Sequence, residues 1–211
     1  MPAIGVDHYR DPALRSLCFA ATDAEAFAAA IGPDMHFIPK PVVLRNQDAT
    51  RENLLRELAH VANEAKPDDA VLIFFAGHGV ASGDRYYLLP HDAAIQGDAL
   101  ARTGLSDADL ERELRHLVAG TAAVIIDACQ SGQALDTATD WRRGPVSATG
   151  FAQIAYEKGI QVLASQSYQS ALELSRYGHG PLTHALVKEG LEQRRAVNSV
   201  WVPLGRREID D

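Results

Sequence analysis

The sequence predicts a three-layer α/β fold, in which a mostly parallel sheet carries helices on both faces. Three observations predict it. Ala70–Phe75 and Ala122–Ile126 are continuous apolar runs, whereas a strand with one solvated face would alternate. Segments of helical period separate these runs. Strands and helices therefore alternate along the chain, as βαβ units require.

The elements follow in order. Ala3–Val6 is a short apolar run before the turn-like Asp7–Pro12. Leu14, Leu17, Cys18, Ala21, Phe27, Ala28 and Ile31 recur at helical spacing, and Gly32-Pro33 stops that helix. Met35–Leu44 reads as an irregular edge strand, broken by Pro39 and Pro41. Thr50 caps a helix to about Ala65, with Leu54, Leu58, Val61 and Ala62 on one face. After Ala70–Phe75 comes a Gly77-His78-Gly79 turn, then a hairpin arm over Asp84–Pro90. Ser106–Asp109 is a capping box that opens a helix to about Val118, ended by Gly120. Past the second apolar run, Gln133–Gly150 is polar and aperiodic, which predicts a mobile loop. Ile160–Ser165 reads as a third buried strand, Leu182–Gln193 as a last helix and Val197–Leu204 as a final strand.

The chain has 211 residues, enough for one domain with a full core. We take residues 1–211 as a single domain with its core over about 3–195. Apolar residues make up 46% and charged residues 23%, which places it among globular proteins. A net charge of −8 argues against nucleic acid or an anionic membrane surface as partner. The first residues lack the basic and apolar regions of a signal peptide, and no apolar run approaches 18 residues. With only Cys18 and Cys129 as cysteines, these signs predict a reducing cytoplasm, where a thiol nucleophile survives.

Two short segments carry the chemistry. His78 follows one buried run between two glycines, and Cys129 follows the other within Asp127-Ala128-Cys129-Gln130-Ser131-Gly132. In such sheets function collects at the carboxyl ends of the strands. A Cys and a His delivered there pair as thiolate nucleophile and acid/base partner, the chemistry of a cysteine peptidase. The bland alternatives are a buried structural Cys and a loop His; a metal-ligand role for His78 would need further ligands at short spacing. The backbone N–H groups of Gly79 and Cys129 are candidates for the oxyanion hole. Strand alternation puts Asp127 on the face of Cys129, where its carboxylate either floors a pocket for a basic side chain or pairs with a local Arg. Asp23 falls inside Thr22–Glu25, which also reads as a capping box with Asp23 as a helix-dipole partner.

Ala76–Gly79, Tyr87–Pro90 with Asp92-Ala93, and Asp127–Gly132 together resemble the bacterial caspase-like peptidases, grouped with metacaspases and orthocaspases. The resemblance runs from Gly5 to about Leu191, and a His-to-Cys separation of about 50 residues is also that of caspases. It implies a six-stranded, mostly parallel caspase-like sheet. It also implies a cysteine endopeptidase of stress or defence signalling that cleaves after Arg or Lys, since Asp127 stands where animal caspases have Gln. Asp23 matches the family's second pocket acid, and Ser165-Gln166-Ser167-Tyr168 the segment beside the bound peptide. A Ser common two residues before the His is Ala76 here. The loop 133–150 matches the segment where caspases are cut, making Arg142 and Arg143 the candidate processing site for the enzyme itself or an upstream peptidase. The dyad itself requires no cofactor. Many metacaspases need calcium, for which Asp92 and Asp136 are weak candidates in the absence of a clustered acidic motif. The expected partners are proteins or peptides with exposed Arg or Lys. A non-catalytic caspase-like scaffold is the main alternative, against which the intact His78/Cys129 pair argues. The absence of a Gly-rich phosphate loop after the first strand argues against a nucleotide-binding domain.

Overall fold

The computed structural model describes residues 1–31, 40–130, 155–165 and 178–192. Strand β1 spans Pro2–Gly5, helix α1 Ala20–Ile31, β2 Val42–Arg45, α2 Arg51–Glu64 and β3 Ala70–Ser82. Then come β4 (Arg85–Leu88), α3 (Ala99–Thr103), β5 (Leu105–Ser106), α4 (Asp107–Leu114), β6 (Thr121–Gln130) and β7 (Ile160–Ala164). Helix α5 begins at Pro181–His184 and continues as a π-helical stretch over Ala185–Glu192. The expected loop over 133–150, with Asp136, Arg142 and Arg143, and the expected strand Val197–Leu204 lie outside the described residues.

Five strands run parallel in the order β2-β1-β3-β6-β7. β4 and β5 add an antiparallel arm, so the described sheet has seven strands where six were expected. Strand β3 organises it. One side pairs with β6 over ten positions, from Ala70↔Thr121 to Gly79↔Gln130. The other side pairs with β1 at Phe74–Ala76 and then with β4 at Gly79–Ser82.

The two faces are packed by alternate residues of the same strands. Phe74, Ala76 and Ile125 meet Ala24, Phe27, Ala28 and Ile31 of α1 and Val187 of α5. The Phe27 and Phe74 rings stack at 4.6 Å. Ile73, Phe75, Val124 and Ile126 face the other way, against Leu54 and Leu58 of α2 and Leu110 and Leu114 of α4. Each buried Phe, Leu, Ile or Val among them contributes about 1.5–3 kcal/mol by leaving water. Both caps read from the sequence are present. The Thr50 hydroxyl accepts from the Asn53 N–H, and Ser106 and Asp109 bond reciprocally at the start of α4.

Three local expectations need correction. The Gly77-His78-Gly79 segment is no turn: β3 runs through it to Ser82, and the chain reverses at Gly83-Asp84, with Gly83 at φ 62°. Pairing with β4 and β6 supplies ladder partners that outweigh the turn preference of two glycines. Helix α1 begins at Ala20 rather than near Leu14, because the Asp7 carboxylate accepts the N–H groups of Ala20 and Ala21 (2.7 and 3.1 Å). The residues before Ala20 bond instead within the segment that follows β1, as Leu17 N–H does to Asp7 O and Leu14 N–H to Asp11 O. Finally, β7 is half-covered rather than buried, with Gln161 and Leu163 exposed.

Candidate active site

The register of β3 and β6 sets His78 directly opposite Cys129 on adjacent parallel strands. Cys129 is the last residue but one of β6; its side chain lies outside what is described. His78 is buried, at 6% exposure, and is held from several directions. Its Nε2 lies 2.7 Å from the carbonyl of Arg15. A carbonyl only accepts, so Nε2 carries the proton in this arrangement. The His78 backbone N–H donates to the Tyr9 hydroxyl (2.8 Å), and the Tyr9 ring stacks on the imidazole at 5.1 Å. Gly79 lies within β3, opposite Leu88 on one side and Gln130 on the other. A Cβ there would fall 1.9 Å from the Tyr86 hydroxyl. The close approach of that tyrosine is thus the packing reason for glycine at this position.

Asp23 and Asp127 reach one small volume on the face of the sheet that α1 and α5 cover. A Cβ on Gly180 would sit 2.9 Å from Asp23 Oδ2 and 3.0 Å from Asp127 Oδ2, so only glycine fits between the two carboxyls. Asp23 bonds the His179 ring through Oδ1 (2.8 Å) and accepts the Gly180 N–H through Oδ2 (3.0 Å). The Thr22–Glu25 capping box is therefore corrected, although Asp23 does stand in the first turn of α1. The helix starts before Thr22, whose hydroxyl donates to Phe19 O, and Asp23 turns inward. Asp127 accepts from the Ser165 hydroxyl (2.7 Å) and the Thr183 hydroxyl (3.3 Å). None of these bonds pairs Asp127 with an arginine.

The electrostatics of the pair follow from that crowding. Burial pushes the Asp23 carboxyl up to about 8; the neighbouring Asp127 and Asp7 push the same way, against the Gly180 hydrogen bond. Burial also raises Asp127 above the usual carboxylate range, opposed by the hydroxyls of Ser165 and Thr183. Two acids held in this manner favour a shared proton or an added cation.

Of the weak calcium candidates, Asp92 accepts the Arg51 N–H at the start of α2 (2.9 Å), and Asp136 lies outside the described residues. Among the described residues no group of three or more His, Cys, Asp or Glu side chains is placed to hold a metal ion. No helix among them is long and apolar enough to cross a membrane.

Several residues of this site escaped the sequence reading. Asp7, Tyr9 and the Arg15 carbonyl belong to a stretch read only as a turn and a helix start. His179, Gly180 and Thr183 come from a stretch where the available signal was Pro181, a residue favoured at the first position of a helix. That signal places a helix N-terminus at Gly180 and hence N–H donors for a carboxylate.

No curated protein matches this chain. Among solved structures it is similar to the crystal structure of protein GSU0716 from Geobacter sulfurreducens, with 22% identity and a TM-score of 0.50. The match covers 74% of this chain and 61% of the other, so the chain spans less than two thirds of that protein's length. At this identity the likeness concerns the fold alone. The family model of the caspase domain matches residues 3–200, nearly the whole chain. With a mostly parallel sheet that pairs a His strand with a Cys strand, the chain belongs to the caspase-domain family of cysteine peptidases.

Proposed function

We propose that this protein is a cysteine endopeptidase that cleaves after Arg or Lys through a His78/Cys129 dyad. The observation that carries the reading is the register of β3 and β6, which sets the two dyad residues opposite each other. Beside them, Asp23 and Asp127 converge on Gly180. The Cys129 thiolate attacks the scissile carbonyl while the N–H groups of Gly79 and Cys129 receive the oxyanion. With Nε2 held by the Arg15 carbonyl, proton transfer with Cys129 and then with the leaving amine runs through Nδ1. A substrate guanidinium or ammonium enters beside Asp23 and Asp127, with Ser165 orienting the latter. Two carboxyls that burial holds above their ordinary range gain from a cation what no described arginine or lysine supplies them. Protein substrates with exposed Arg or Lys, cytoplasmic stress or defence signalling, and activation by a cut at Arg142 or Arg143 complete the proposal. Calcium remains part of the proposal, through Asp92, whose Oδ1 accepts the Arg51 N–H, and through Asp136.

The test is hydrolysis of fluorogenic peptides with Arg, Lys or Asp at P1, with and without calcium, beside Cys129→Ala. Cleavage after Arg and Lys that disappears in Cys129→Ala is expected. Turnover that survives in Cys129→Ala overturns the nucleophile, and a preference for Asp at P1 overturns the pocket. Intact mass of the wild type beside the variant shows whether a break after Arg142 or Arg143 depends on Cys129.

A further inference from the structure

We propose that Tyr9 is a positioning residue for His78, fixing the plane and height of the imidazole so that proton transfer with Cys129 occurs in one geometry. The inference rests on the reading of His78 as the acid/base.

Tyr9 follows β1, on a segment that crosses the carboxyl ends of the strands. Its ring lies against the imidazole with centroids 5.1 Å apart and planes inclined by 25°. Its hydroxyl donates to the Val6 carbonyl (3.1 Å) and accepts from the His78 backbone N–H (2.8 Å). One side chain therefore ties the end of β1 to the backbone of His78 and also restrains the ring of His78. The same segment supplies the Arg15 carbonyl to Nε2. Face and edge of the imidazole are thus both set by residues 9 to 15. Gly77 makes the approach possible: a Cβ there would stand 3.2 Å from the Tyr9 hydroxyl and 3.1 Å from the Phe75 ring.

The arrangement suits an acid/base better than a packed core histidine. An aromatic face attracts a cation, so the Tyr9 ring favours the imidazolium that forms when Cys129 gives up its proton. Proton transfer also depends steeply on orientation, and a misplacement of about 1 Å costs on the order of 100-fold in rate. The competing account is packing alone, since Tyr9 also abuts apolar clusters around Val6 and Leu14. Packing alone predicts lost stability without a selective loss of turnover.

The experiment uses the full chain with Tyr9→Phe and Tyr9→Leu, an Arg-P1 peptide, thermal unfolding and iodoacetamide. Tyr9→Leu should lower kcat by about 100-fold with KM within about twofold. Tyr9→Phe keeps the ring and should recover most of that loss, remaining about 10-fold down for the missing hydroxyl. Alkylation of Cys129 in Tyr9→Leu should slow by about 10-fold relative to the exposed Cys18 in the same molecule, as thiolate formation loses its poised partner. Loss of kcat in proportion to lost folded protein, or equal kcat in Tyr9→Leu and wild type, overturns the proposal. If wild type cleaves no peptide, the peptidase reading falls separately. The Cys129-to-Cys18 alkylation ratio then decides for Tyr9: an unchanged ratio in Tyr9→Leu overturns its role and a fallen one supports it.

Discussion

Asp109 and Asp23 are both buried carboxyls at the starts of helices, and their surroundings push them in opposite directions. For Asp109 burial alone would raise the pKa. The N–H and hydroxyl of Ser106 and the guanidiniums of Arg51 and Arg112 overcome it and hold the group below the usual range. For Asp23 burial is joined by the acids Asp127 and Asp7, and the carboxyl rises to about 8. One acid is completed by its own chain and serves the fold. The other meets the His179 ring and the Gly180 N–H but also a second carboxyl, that of Asp127, and on the proposed reading that pair is what a substrate cation would complete.

The comparison breaks most sharply if Asp23 and Asp127 prove structural. Asp127→Ala should remove about 2–5 kcal/mol of preference for Arg over a neutral P1 residue, the loss expected when one partner of a desolvated charge pair is truncated. The ratio of kcat/KM values measures it, and Asp109→Ala should leave that ratio unchanged. Stability should show the reverse. Asp109→Ala strips α4 of its capping box and leaves Arg51 without this carboxylate, at a cost of about 1–3 kcal/mol by chemical denaturation. Asp23→Asn should cost less than Asp109→Ala.

The pH dependence sharpens the contrast. A carboxyl raised to about 8 keeps its proton in the folded state where the unfolded chain has lost it. Stability from Asp23 is therefore complete at acid pH and declines as pH rises from about 4 to 8, by at most about 1.4 kcal/mol per pH unit. Asp23→Asn should flatten that slope. Asp109 contributes the other way, with stability present above the ordinary carboxylate range and lost as pH falls through its depressed pKa. The smallest effect is on substrate binding. If a guanidinium binds the ionised pocket, KM for an Arg-P1 peptide should fall as pH rises from about 6 to 8, by at most tenfold per unit for one proton released. A KM independent of pH would place the cation away from Asp23.

How much of this was legible in the sequence depends on range. Ala70–Phe75 and Ala122–Ile126 declared themselves as central strands because only a doubly covered strand tolerates unbroken apolar residues. Thr50 and Ser106 declared their caps because a cap is settled within four residues. The start of α1 was not legible, since the donor groups of Ala20 and Ala21 are satisfied by Asp7, 13 and 14 residues upstream. Nor was the straightness of β3 through His78, which depends on ladder partners in β4 and β6. Asp127 and Asp23 were singled out one at a time. That they meet is a fact of α5, whose Gly180 and Thr183 lie 157 and 56 positions from the acids they bond. No local pattern encodes a contact over such distances.

The change of partner along β3 has a dynamic consequence. His78 is not on an outlying loop but two positions beyond the last β1 pair and one before the first β4 pair, with β6 alongside throughout. The His78 amide itself donates to the Tyr9 hydroxyl, while the flanking positions Phe74–Ala76 and Gly79 lie between two paired strands, which should tie their exchange to separation of those strands. Deuterium uptake over Phe74–Val80 should accordingly be among the slowest in the chain and lag that of β7 by orders of magnitude. The backbone that carries the histidine thus inherits the lifetime of the sheet, while its ring depends in addition on Tyr9 and the Arg15 carbonyl.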